Sequence, residues 1–329
     1  MKSTNKNNLY RFLGITLKVL MLGLTIWFIY ERIFTTKNLV EIRDYFKSHL
    51  FNTSRLWMFI LSLILMLFNW GVEAIKWRLL ILKIENISII QSFKAILSGV
   101  TVSVFTPNRI GEYAGRVVYI QNADRIKVAL ITVITSLSQL TITLLLGALA
   151  LLFYLSDYHG DIIGDLSIYI GVQLYIVFLV LSLLVFLNTS VISLILSKIK
   201  FLADRFKKYI DVFAYYSQVE LAQTLLLSLI RYIIFSIQYY LLLCFFDVDI
   251  TIAQALILIP VYFITLTAIP SITLAELGIR EVVAITVFSV VAENELGMVS
   301  TSFVIWLINL ALPALIGMIF VLRAKLFKD

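Results

Sequence analysis

Thr106-Pro107-Asn108-Arg109-Ile110-Gly111-Glu112-Tyr113-Ala114-Gly115-Arg116 is the stretch on which the fold of this chain turns. It sets two arginines and a glutamate between long apolar runs, and such charges are costly at bilayer depth unless they face protein or a wet cavity. A second stretch, Pro270-Ser271-Ile272-Thr273-Leu274-Ala275-Glu276-Leu277-Gly278-Ile279-Arg280, repeats the pattern of a proline, then a glutamate, then an arginine four residues on. In each case a glutamine stands sixteen residues before the proline, Gln91 before Pro107 and Gln254 before Pro270. This is a weak internal repeat, of the kind that builds many transporter folds.

The surrounding composition sets the class. Of 329 residues, 61% are hydrophobic and 14% charged, with a mean hydropathy of +0.98, outside the range of soluble domains. The expectation is an all-α polytopic membrane protein. The net charge of +7 is explained by basic cytoplasmic loops. With no soluble basic module, nucleic acid is not expected as a partner. Cys244 is the single cysteine, so an intramolecular disulfide and a thiolate metal cluster are both excluded. His49 and His159 lie far apart and no phosphate-cradling glycine loop is present, so neither a metal nor another cofactor is expected.

A spanning helix needs roughly 20 mostly apolar residues. Six crossings are expected, at about 11–30, 56–75, 126–155, 165–187, 222–246 and 297–322. The first has no small-residue cleavage site and reads as an uncleaved signal anchor. Two further segments, about 88–122 and 251–292, read as re-entrant or broken-helix hairpins, each an apolar arm ending at a proline followed by a more polar arm. Pro107 and Pro270 break the helices, with Gly111 and Gly278 close behind, and Gly111, Gly115 and Gly278 allow close helix packing. Full spans are the alternative for the first arms.

Loop charges orient these segments, because basic residues near span ends mark the cytoplasmic side. Lys2, Lys6 and Arg11 place the N-terminus inside, and Lys76, Arg78 and Lys83 place the end of the second span there too. The loop with Asp157, His159, Asp161 and Asp165 is then outside. The connector of about 190–220, amphipathic and rich in lysine, lies along the cytoplasmic face. Arg323, Lys325 and Lys328 place the C-terminus inside, and the one poor fit is the loop from Glu31 to Arg55, outside despite five basic residues. Three crossings separate the hairpins, so they enter from opposite faces in an inverted-topology arrangement.

Arg109, Glu112 and Arg116 follow i, i+3, i+7 spacing and so share a helix face, while Glu276 and Arg280 are an i, i+4 pair. Two readings are open. Either each glutamate only neutralises the arginine one turn away, or the arginines, helped by helix N-termini, hold an anionic headgroup. Arg231, well inside its span, and Glu281, beside Arg280, are further candidates for the headgroup site, with snorkelling the alternative for Arg231. Lys18 is expected to snorkel, Glu73, Lys76 and Arg78 to form an interfacial cluster, and Trp27, Trp57 and Trp77 to anchor the interface. Asn69, Gln139 and Asn309 read as interhelical glue.

Pro107-Asn108-Arg109-Ile110-Gly111-Glu112 with Arg116, and Leu277-Gly278-Ile279-Arg280-Glu281, resemble the two polar motifs of the transmembrane flippase domain of lysyl-phosphatidylglycerol synthases. The likeness covers most of the chain, with one departure: Pro270-Ser271-Ile272 stands where that family usually has Pro-Gly-Gly. The resemblance implies a single flippase-like domain over 1–329 in a bacterial inner membrane, the translocating half without the soluble synthase. The expected function is movement of an anionic phospholipid, an aminoacylated lipid or a polyprenyl-phosphate lipid between leaflets. A non-transporting subunit that docks a lipid-modifying enzyme, or an intramembrane transferase, are the alternatives.

Overall fold

The computed structural model describes Gly23 and residues 39–51, 54–104, 106, 109–158, 166–269 and 276–323, and every regular element among them is helical. Lys2, Lys6, Arg11, Lys18, Trp27, Pro107, His159, Asp161, Asp165, Pro270, Lys325, Lys328 and, apart from Gly23, the expected first span lie outside the described residues. In chain order the helices are α1 (Leu39–Leu50), α2 (Leu56–Ile81), α3 (Ile89–Ser103), α4 (Gly111–Val117), α5 (Arg125–Tyr158) and α6 (Leu166–Leu187). They continue with α7 (Thr189–Lys198), α8 (Lys200–Ile210), α9 (Gln218–Phe245), α10 (Ile252–Ala268), α11 (Glu276–Phe288) and α12 (Glu295–Arg323).

α2 shows how this sequence makes a membrane helix. Its 26 residues reach about 39 Å at 1.5 Å per residue, more than the roughly 30 Å apolar thickness of a bilayer. Ile60, Ile64, Leu67, Phe68 and Ile75 share one exposed face, whereas Ser62, Asn69, Glu73 and Lys76 are buried on the other. An apolar outside over a polar inside is what lipid as solvent selects. α5, α9 and α12 are equally long and apolar, and α6 meets α7 at a bend of 87°, so four or five helices can cross the membrane. This is a multi-pass membrane protein, and five of the six expected crossings have a helical counterpart in α2, α5, α6, α9 and α12.

α3 and α10 are shorter, 15 and 17 residues, so they reach only about 22 and 26 Å and fall short of a full crossing. Each opens with a reciprocal capping box, Ser88 with Gln91 and Thr251 with Gln254, which fixes its first turn. The two glutamines of the sequence repeat are thus the cap partners of equivalent helices. Each hairpin also leaves where it came in. The Glu85 carboxylate, just before α3, accepts hydrogen bonds from the backbone N–H groups of Gln121, Asn122 and Ala123 beyond α4, at 2.7–3.0 Å. At the second hairpin, Asn294 Nδ2, beyond α11, donates to the carbonyls of Phe246 and Asp247 before α10, at 3.0 and 3.1 Å.

The two mouths lie at opposite ends of an antiparallel α2–α9 pair. Arg55 Nη1 donates to the Cys244 carbonyl at one end, Gln238 Nε2 to the Ser62 carbonyl in the middle, and Tyr216 OH to the Leu80 carbonyl at the other. The first hairpin opens at the Leu80 end and the second at the Cys244 end, so the arrangement is inverted. Packing is reciprocal: α12 lies against α3 of the first hairpin, and α5 against α10 of the second. One glycine on each makes the approach possible. A Cβ on Gly317 would sit 2.0 Å from the Leu97 carbonyl oxygen, and one on Gly147 would sit 2.5 Å from Ile264 Cβ. Gly147 and Gly317 each lie 22 residues after the first residue of their helix.

The connector of α7, α8 and a 3-10 turn (Asp211–Ala214) lies at the first hairpin's mouth. Lys208 Nζ pairs with Asp124 at 2.6 Å and Lys127 Nζ donates to Tyr215 OH at 2.8 Å. The connector and the first hairpin's mouth therefore share one face of the molecule.

Candidate functional site

The site is built where the hairpin tips meet. Thr106 Oγ1 accepts a hydrogen bond from the Gly111 backbone N–H at 2.7 Å and so starts α4 just beyond the break. The helix can begin there because Gly111 has no side chain: a Cβ would fall 2.4 Å from the Val102 carbonyl oxygen. Gly115 is equally constrained, with its Cβ position 2.6 Å from Gly99 Cα. Arg109 precedes α4 with φ of +57°, a left-handed conformation unfavourable for a side chain of this kind. The expected common helix face for Arg109, Glu112 and Arg116 is therefore corrected. Only Glu112 and Arg116 lie on α4, while Arg109 Nη2 donates across to Glu276 Oε1 of the other hairpin at 2.6 Å.

Glu276 is the first residue of α11 and also accepts from Arg280 Nε and Nη2 at 3.2 and 2.7 Å. On α4, Arg116 is ion-paired with Glu112, the matching i, i+4 contact. Arg116 then reaches into α2, where its Nη2 donates to Glu73 Oε1 at 2.9 Å. Glu73 is the hub, because its second oxygen faces Lys76 Nζ and Arg231 Nη1, each at 2.8 Å. Arg231 is the 14th of the 28 residues of α9, about 20 Å from either end, and also donates from Nε to Asn69 Oδ1 at 2.8 Å. Held by Glu73 and Asn69 at mid-helix, it does not snorkel. Its guanidinium lies 5.1 Å from the Trp70 ring, and that of Arg116 5.8 Å from Trp77.

These side chains border one cavity of about 730 Å³, lined from α2, α4, α5, α9, α10, α11 and α12. Arg109, Glu112, Arg116, Arg231, Glu276 and Arg280, the residues singled out by the motifs and by Arg231's depth, all line it. Glu281 does not, one position round from Arg280. Gly278 is exposed with no atom within 4 Å of its Cβ position, so it makes no close approach. Two other expectations are corrected. Glu73 and Lys76 are 3% and 0% exposed at the centre of the network, not an interfacial cluster. Trp77 is fully buried and donates from Nε1 to Thr132 Oγ1 at 3.0 Å, whereas Trp57 is exposed as an interface anchor requires. Asn69, Gln139 and Asn309 line the cavity as well as bridging helices. Asn309 lies in a π-helical turn of α12 (Leu307–Ala311), a distortion found mostly at functional sites.

Sequence matching covers nearly all of this architecture, with residues 11–324 fitting the family described as Lysylphosphatidylglycerol synthase TM region. The chain belongs to that family. No curated protein and no solved structure matches it. Membership in the lysylphosphatidylglycerol synthase TM region family ties the chain to membrane-lipid handling, and its two polar motifs are the segments that meet at the cavity. Among the described residues no group of three or more His, Cys, Asp or Glu side chains could hold a metal ion.

Proposed function

We propose that this protein is a lipid flippase of the inner membrane, carrying a phosphate-bearing lipid headgroup between leaflets through the cavity between its hairpins. One observation carries the reading. Two hairpins that open at opposite ends of the α2–α9 pair meet through Arg109 and Glu276 over a single charged cavity. A site reached by broken helices from both sides is the arrangement alternating access uses. The arginines meet the phosphate, and the acyl chains stay against the apolar outer faces of the helices. The N- and C-termini and the connector lie in the cytoplasm.

Reconstituted in liposomes, the purified protein should move a headgroup-labelled anionic phospholipid between leaflets without chemical change to it. Arg116→Met should abolish movement. New lipid product with no movement would replace this reading with a transferase. Activity that appears only with an added lipid-modifying enzyme would replace it with a docking subunit.

A further inference from the structure

The cavity wall carries an imbalance of charge. Among the described residues, Lys76, Arg109, Arg116, Arg231 and Arg280 face it with Glu73, Glu112 and Glu276 against them, an excess of two positive charges. The hairpin-tip residues 105, 107–108 and 270–275 contain no ionisable side chain, so they do not alter this balance. Every carboxylate is already engaged: Glu73 by three cations, Glu276 by two, Glu112 by Arg116. Donors remain. Arg116 is 1% exposed, yet its Nε and Nη1 have no acceptor among the described residues, and the cavity-lining Trp70 Nε1 and Tyr232 OH have none there either. Two neutral acceptors, Gln139 Oε1 and Asn309 Oδ1, are also unpartnered there.

We infer that the headgroup this site takes is a phosphate bearing two negative charges, a phosphomonoester or a diphosphate, and that a cationic aminoacyl headgroup is disfavoured. The inference rests on the lipid-carrier reading above and narrows its substrate. Two uncompensated charges in a low-dielectric wall are balanced by a dianion and only half balanced by a phosphodiester. Buried N–H groups without partners supply the charge-assisted hydrogen bonds such an oxyanion needs. An ammonium would enter a wall that is already cationic and find no free carboxylate. The neutral acceptors suit hydroxyl groups beside the phosphate.

The test uses the full-length protein in nanodiscs and compares phosphatidic acid, phosphatidylglycerol and lysyl-phosphatidylglycerol as competitors for a fluorescent phosphatidic acid. Phosphatidic acid should bind about tenfold or more tighter than phosphatidylglycerol at pH 8, a difference of about 1.4 kcal/mol. The gap should narrow at pH 5.5, where a phosphomonoester, with a second pKa near 6, is largely a monoanion. Lys76→Met, which removes one excess charge, should narrow the gap at pH 8, and Lys76→Arg should restore it. Equal or tighter binding of phosphatidylglycerol or its lysyl ester at pH 8 overturns the inference and leaves the carrier reading standing. Binding of none of the three lipids overturns the carrier reading itself. Inorganic phosphate is the last competitor: weak competition supports a lipid source, and affinity equal to the lipid's overturns it.

Discussion

Glu73→Gln is the substitution on which the network reasoning depends most. Glutamine keeps the shape and one acceptor oxygen but removes the charge that faces Lys76, Arg116 and Arg231 within 2.9 Å. Among the described residues, Arg116 alone of the three would keep a carboxylate partner, Glu112. With Glu73 3% exposed, breaking such a buried pair should destabilise by about 3–5 kcal/mol. Glu112→Gln should cost about 1–2 kcal/mol, since that side chain is 22% exposed and Arg116 keeps Glu73. Adding Lys76→Met to Glu73→Gln removes one orphaned cation, so the pair should be non-additive by about 1–3 kcal/mol. Equilibrium unfolding in mixed micelles, followed by tryptophan fluorescence, measures all five proteins: the parent, Glu73→Gln, Lys76→Met, their double variant and Glu112→Gln. A Glu73→Gln protein within about 1 kcal/mol of the parent, or strict additivity in the double variant, would refute the reasoning, because the cavity would then screen charge like bulk water.

Further outcomes follow from the same geometry. In a Cys244→Ser background, cysteines at Gln121 and Glu293, both exposed beside the two mouths, should react with an impermeant maleimide from opposite sides of the membrane, and labelling from one side would remove the inversion. Gly317→Ala should destabilise by about 1–3 kcal/mol through its clash with Leu97, while Gly278→Ala, with open space around it, should be neutral or stabilising by up to about 1 kcal/mol; thermal denaturation in detergent separates the two. Arg116→Lys keeps a charge beside Glu73 but loses the planar set of donors, so lipid binding should weaken by about 1–2 kcal/mol with little change in folding stability, and unaltered binding would leave Arg116 a structural partner only.

Much of the backbone was legible in the sequence because membranes enforce it. Five expected spans coincide with helices, and both hairpins fall where apolar runs end at polar motifs. The Gln91 and Gln254 repeat was visible but its cause was not, since a capping box needs to be seen closed. The site was legible in part. Glu112–Arg116 and Glu276–Arg280 follow directly from i, i+4 spacing, but Arg109 departs from its helix at a positive φ that no spacing rule anticipates. Glu73 and Lys76 were misplaced for a specific reason. Their own charges lower the local hydropathy, so the span seemed to end near 75, whereas α2 continues to Ile81 and carries them inward. The available signal was the buried-face spacing of Asn69, Glu73 and Lys76, three polar residues at i, i+4 and i+7.

The weakness of the sequence repeat beside the strength of the backbone repeat has a physical explanation. Thr251 lies 163 positions after Ser88, Gln254 the same distance after Gln91, and Pro270 after Pro107, so caps and breaks are kept in register. At that spacing Glu73 and Lys76 correspond to Ser236 and Tyr239, and Asn69 to Tyr232. The two halves therefore share what shapes the chain and a Glu–Arg pair each, and differ in the remaining charges of the cavity. A glutamate and a lysine at those α9 positions would add no net charge, so the missing copy of the hub does not set the balance. The excess of two comes from Arg231 and Arg109, which at that spacing correspond to Phe68 and Ile272, so each half adds one unmatched cation to the cavity wall. The asymmetry that hides the repeat in the sequence is thus the same feature that suits the cavity to an anion.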